Sequence, residues 1–332
     1  MAMTEEPASK GDILLEEPFR VLFPVGVVGT LLGVVPWVSF ALGWSEPPSS
    51  YSHGMLKIQC FEASFATGFL MTALPRFLET TPTRWWELFV SLCLALAVGV
   101  SLAVDSFHVG QWFYLALMGH VALFGLRRLR TRGDDPPPFF AFIPAGLIAA
   151  LLGVATILSP IDGFTRLGEN LVQQGVLLCF VLAIGSHLGP RLLYGHRGFP
   201  ETTTPAAHRR RRFLLLVACL LLSTFFIEAG LRQLGALHLS FVGGFGLMTF
   251  IIASRVVIGH AGFEPLWQGH RPSLMIPLAL IALSTPVRLA ADAFPDNYAE
   301  WLGASGGLWV LGVAIWGLVF LPKMLPHHVA PD

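Results

Sequence analysis

What most constrains this chain is a succession of apolar windows, each long enough to cross a bilayer and set apart by Pro, Gly and charge clusters. A hydrocarbon layer about 30 Å thick takes about 20 helical residues. Windows of that length fall near 20–42, 55–75, 86–104, 108–126, 139–158, 170–189, 213–231, 238–259, 272–291 and 303–321. The chain is 54% hydrophobic and 13% charged, with a mean hydropathy of +0.66. A soluble fold could not cover that much apolar surface. The expected fold is all-α: a polytopic transmembrane bundle of about ten spans with the lipid bilayer as its partner. Residues 1–332 read as one integral membrane domain, flanked by a polar N-terminal segment (1–19) and a short tail (322–332).

Basic residues orient that bundle. All but four of the 21 lie at the two termini or in the connections after every second span; the exceptions are Lys57, Arg166, Arg232 and Arg288. Such asymmetry places both termini and the Arg-rich connections on the cytoplasmic side. The expected localisation is the bacterial inner membrane, multi-pass. The LRRLRTR cluster flanks a span directly, so it reads as a topology anchor and not as a nucleic-acid surface. Residues 1–21 lack an apolar stretch ahead of a small-residue cleavage site, so the first span is expected to serve as the insertion signal. Cys60, Cys93, Cys179 and Cys219 all lie in apolar runs and form no CxxC or CxxCH pattern, which argues against covalent haem attachment and a disulfide framework.

Ionisable residues at membrane depth are costly and usually face a partner, a cavity or a cofactor. The run HLSFVGGFGLMTFIIASRVVIGH, residues 238–260, opens and closes on histidine. On a helix the two imidazoles would stand about 33 Å apart, one near each face of the membrane. An outer layer then contains His53 and His238, with His108, Glu169, Asn170, Gln173 and Gln174 at the same depth. An inner layer contains His187 and His260, with Arg191 and Arg255 nearby. Imidazoles from facing helices can hold a haem iron or help to bind copper; the alternative is an interfacial histidine satisfied by a hydrogen bond. Arg191 and Arg255 could pair haem propionates, or serve as plain membrane anchors. Gly243, Gly244 and Gly246 smooth one helix face, more simply for close helix packing than for a porphyrin. His120 reads as a histidine bonded to a backbone carbonyl. Glu62 shares a helical stripe with Met55, Gln59 and Ala66 and is a candidate proton relay, while α-helical spacing leaves Lys57 a marginal partner for it.

Two strings resemble the signature regions of the NnrS family: YSHGMLKIQCFEASFATGFLMTALPRF (51–77) and HLSFVGGFGLMTFIIASRVVIGHAGFE (238–264). Glu17-Pro18-Phe19-Arg20 also resembles the family's opening. The resemblance implies a bacterial membrane protein containing haem and copper and linked to the nitric-oxide response. It departs from the pattern at Tyr51 and Gly54, which stand where the first signature has histidine and glutamate, and the family usually has about twelve spans. A copper site that needs the missing histidine would be weakened.

The leading expectation is therefore a haem-binding membrane protein (haem b, with copper less well supported) in electron transfer or nitric-oxide metabolism. It names His53, His238, His187 and His260 as metal ligands, Arg255 and Arg191 as further cofactor contacts, and other respiratory-chain membrane subunits as partners. One alternative is a transporter or channel using Glu62, Gln59 and the histidines. Another is a cofactor-free subunit or assembly factor of a respiratory complex. No Walker A loop, GxSxG elbow, HExxH helix or GxGxxG turn is present.

Overall fold

A computed structural model describes residues 10–159, 164–194, 238–260 and 271–325. A short helix α1 (Lys10–Glu16) leads into α2 (Phe19–Ala41). Helix α3 covers residues 50–77 in three consecutive segments: α-helical Ser50–Met55, π-helical Leu56–Glu62 and α-helical Ala63–Phe77. Helices α4 (Trp85–Ala103) and α5 (Phe107–Arg130) follow, then α6 (Phe142–Ile157) after a 3₁₀ turn, Pro138–Ala141. Helix α7 covers residues 164–194 and carries a π segment at Leu171–Gly175; α8 covers 238–260 with a π segment at Leu239–Gly246. Helices α9 (Pro272–Ala293) and α10 (Tyr298–Phe320) complete the described chain.

Eight described helices are long and apolar enough to cross a membrane. They match eight of the expected windows. The second window lies within α3, whose three segments run on without a break, and the window at 213–231 lies outside the described residues. Among the described residues there is no strand. Pro24 and Pro36 sit inside α2, Pro277 and Pro286 inside α9; in a bundle, neighbouring helices can re-satisfy the backbone groups that such prolines free.

Close packing follows the small residues. A Cβ at Gly26 would strike Phe65, and one at Gly33 would press on Leu56 and Lys57, so α2 lies tight against α3. The same pattern returns later: Gly146 meets Phe180, and Gly153 meets Leu171 and Val172, which seats α6 against α7. One constant interval separates Leu56 from Leu171, Phe65 from Phe180 and Pro75-Arg76 from Pro190-Arg191. The α2–α3 and α6–α7 pairs thus pack alike, and a π segment begins at the corresponding leucine in each.

Among the described residues, Arg20, Arg76, Arg128 and Lys323 lie at one end of the bundle. There, Arg20 Nε donates to Glu17 at 2.5 Å, and its Nη1 donates to the carbonyls of Lys323 and Met324. Arg76 Nη2 donates to Glu17 at 3.3 Å. A second basic-end clamp joins α4 to α5: Arg128 donates to both carboxylate oxygens of Glu87, at 2.5 and 2.6 Å, with both side chains buried. Arg128 was expected only to mark topology; its guanidinium is instead turned inward over the Phe124 ring.

Candidate metal site

Helices α3 and α8 each begin with a histidine followed by a π segment. They run in the same direction, and polar side chains join them at three heights. At the end opposite the basic one, the rings of His53 and His238 stand 6.3 Å apart between centroids, with planes only 19° from parallel. Near the middle, Thr249 Oγ1 donates to Glu62 at 2.6 Å. At the basic end, Arg76 Nη1 donates to His260 Nε2.

The outer pair is built by local geometry. Ser49 caps α3 by accepting from the Ser52 amide at 3.2 Å. One turn on, His53 Nδ1 lies 2.7 Å from the Gly33 carbonyl of α2. A carbonyl only accepts, so Nδ1 carries the proton and the Nε2 lone pair remains. That Nδ1–H···O=C bond is the usual way a ligating imidazole is fixed in tautomer and orientation. The Trp37 ring stands edge-on to His53 at 5.8 Å. Lys57 and Arg288 lie within electrostatic reach of His53. Among the described residues, no group of three or more His, Cys, Asp or Glu side chains is arranged to hold a metal ion.

Lys57 corrects an expectation based on α-helical spacing. The π segment Leu56–Glu62 bonds i to i+5, which brings Lys57 and Glu62 onto one side of α3 and within electrostatic reach of each other. Lys57 Nζ donates to Thr30 at 2.7 Å and sits 3.5 Å over the Trp309 ring, a cation–π contact. Trp309 Nε1 donates to the same Thr30 hydroxyl. Glu62 borders a crevice of about 480 Å³, counting its open mouth, between α3, α7 and α8, whose wall is otherwise Thr249, aromatic and aliphatic side chains. Gln59, grouped with Glu62 in sequence, is instead locked in a reciprocal amide pair with Gln111 of α5, at 2.8 and 2.9 Å.

The glycines of α8 pack helices. A Cβ on Gly246 would come within 2.7 Å of Trp309, and one on Gly243 within 3.2 Å of Thr285. His120 Nε2 donates to the Glu87 carbonyl at 3.1 Å, the backbone-bonded role read for it in the sequence.

His260 and Arg255 lie at the basic end of α8. His260 Nδ1 donates to Val256 at 2.8 Å while Nε2 accepts from Arg76, so both ring nitrogens are engaged. The guanidinium of Arg255 lies beside Gly259, one turn on. The side chains of His187 and Arg191 lie outside the described residues.

Sequence reasoning missed the clustering of Trp37, Lys57, Thr285 and Arg288 around the outer histidines. Lys57 and Arg288 did carry a signal, as two of the few basic residues away from the cytoplasmic connections.

Comparison with known proteins gives one finding. The family model described as NnrS protein matches residues 13–234 and 212–327, nearly the whole chain. No match was found among curated proteins or among solved structures.

Proposed function

The chain belongs to the NnrS family, and from that premise we propose that it is a haem-binding protein of the bacterial inner membrane in which His53 and His238 hold one haem b iron. The observation that carries this reading is the paired imidazoles: near-parallel rings with centroids 6.3 Å apart. Imidazoles that share one metal through bonds of about 2 Å stand about 6 Å apart, centre to centre.

The donor chemistry fits haem better than copper. His53 and His238 would hold a haem iron with no third protein donor. A bare cupric ion would add positive charge within reach of Lys57 and Arg288, whereas a porphyrin carries its own carboxylates. Tyr51 and Gly54 also stand where the resembled signature has histidine and glutamate. Copper is therefore left out of the proposal.

Bound there, haem supplies one-electron chemistry. The protein's part is to fix both imidazoles, His53 through Gly33 and His238 through the first turn of α8. If His53 and His238 both held the iron, electron exchange with other respiratory-chain membrane subunits would be favoured over capture of a gas. Glu62, bonded to Thr249 and bordering the crevice, offers a place for a proton at mid-depth. His260 is not assigned a metal, because Arg76 would have to give it up.

A reduced-minus-oxidised absorption spectrum of the detergent-purified protein tests the proposal. A Soret band that shifts on reduction, and is lost or altered in both His53→Ala and His238→Ala, is the expected result. A wild-type protein that stays colourless when haem is supplied overturns it. One observation favours transport as the second reading: the Glu62 carboxylate lies at the crevice between α3, α7 and α8. In that case liposomes containing the protein take up protons, and Glu62→Gln abolishes the uptake.

A further inference from the structure

Three buried polar side-chain atoms around the outer histidines have no hydrogen-bond partner: Arg288 Nε, Thr285 Oγ1 and Trp37 Nε1. Buried polar groups in native proteins are nearly always paired, and an orphan that persists usually marks a missing ion, water or ligand. Here two of the three can only donate and the third is a hydroxyl that can.

Their setting locates them. Arg288 and Thr285 are each 3% exposed and lie one turn apart on α9. The Arg288 guanidinium is held through its other nitrogens, Nη1 donating to Asp292 at 2.9 Å and Nη2 to the Tyr298 hydroxyl at 3.3 Å, while Nε has no partner. Arg288 is within electrostatic reach of His53. Thr285 packs against Gly243, little more than one turn beyond His238 on α8. Trp37 stands edge-on to His53 from α2. The orphans therefore sit on two helices beside the imidazole pair: Trp37 of α2 touches His53, and on α9 Thr285 packs against the helix that carries His238, with Arg288 one turn further on.

We infer that Arg288, Thr285 and Trp37 form a carboxylate-binding subsite beside the His53/His238 pair. A carboxylate has acceptors and no donors, can meet Arg288 Nε while Asp292 holds Nη1, and gains most from charge-assisted bonds in a dry site. Two sources share this chemistry: a propionate of the porphyrin that the proposed function places between the histidines, on which this inference then rests, or a free small carboxylate. Arg288 takes the part that the sequence suggested for Arg191 and Arg255.

The test uses the full-length protein in detergent, titrated with haem and with haem dimethyl ester and followed by the Soret band. If the carboxylate is a propionate, the wild type binds haem at least about tenfold more tightly than the ester, the size expected for charge-assisted bonds. Trp37→Phe and Thr285→Val, which keep shape, shrink that preference, and Arg288→Met removes it. If the carboxylate is free, haem and ester bind alike, while acetate shifts the Soret band in the wild type and not in Arg288→Met. Equal binding of the two porphyrins with no acetate response overturns the subsite. So does a preference that all three variants leave unchanged. Failure of both porphyrins to bind sinks the haem reading alone. The subsite is then decided by melting: acetate raises the melting temperature of the wild type and of none of the variants if it exists, and of all or none of the four proteins if it does not.

Discussion

The pairing of His53 with His238 depends on positions that show little in a sequence. A histidine before an apolar run is visible as a candidate, but the carbonyl that orients it belongs to Gly33, twenty residues earlier on another helix. The glycines of α8 were legible as packing residues, and two of them are: Gly246 against Trp309 and Gly243 against Thr285. Gly54 differs, because a Cβ there would meet nothing within 4 Å. Gly246→Ala should therefore lower stability by about 1–3 kcal/mol through overpacking. Gly54→Ala should be neutral, or stabilise by up to about 1 kcal/mol through helix propensity. Thermal melts of the two variants in detergent check both signs; equal shifts would contradict the packing described for α8.

At the level of helices, hydropathy located the spans, because apolar windows of bilayer length admit few other structures. The π segments were not legible. Each makes neighbours of residues that α-helical periodicity sets apart, and Lys57 with Glu62 is the case in point. Inserting one alanine after Ile58 should rotate everything before it by about 100° relative to the rest of α3, the angle that one helical residue covers. His53 then turns away from His238, while Arg76 keeps His260 at the other end. The expected outcome is loss of the Soret band in a protein that still purifies as a folded monodisperse species; a retained band contradicts it. The Glu87–Arg128 clamp was also hidden, because a basic cluster at a helix end looks the same whether or not one member turns inward. Breaking it with Arg128→Met should cost about 3–5 kcal/mol, and the double variant Arg128→Met/Glu87→Met should recover most of that loss, as buried ion pairs do when both charges are removed. Melting of the single and double variants measures this directly.

Over the whole molecule, the asymmetry of basic residues oriented the bundle, and the structure gathers the Glu17–Arg20–Arg76–His260 cluster at that basic end. A C-terminal fluorescent-protein fusion should therefore glow in cells and an alkaline phosphatase fusion at the same point stay inactive; the reverse pattern would invert the topology. The likeness of the α2–α3 and α6–α7 pairs shows only when the glycine contacts and π segments are placed on the helices, one interval taking Leu56 to Leu171 and Phe65 to Phe180. His53 and His238 are not related by that interval, so the proposed metal site belongs to the assembled bundle and not to either pair. Its most direct measurement is electron paramagnetic resonance of the oxidised, haem-loaded protein with ¹⁵N-labelled histidine. Hyperfine coupling to two imidazole nitrogens per iron is expected, falling to one in His238→Ala and likewise in His53→Ala. Coupling to one nitrogen or none in the wild type, or to two that persist in either variant, would contradict the shared-iron account.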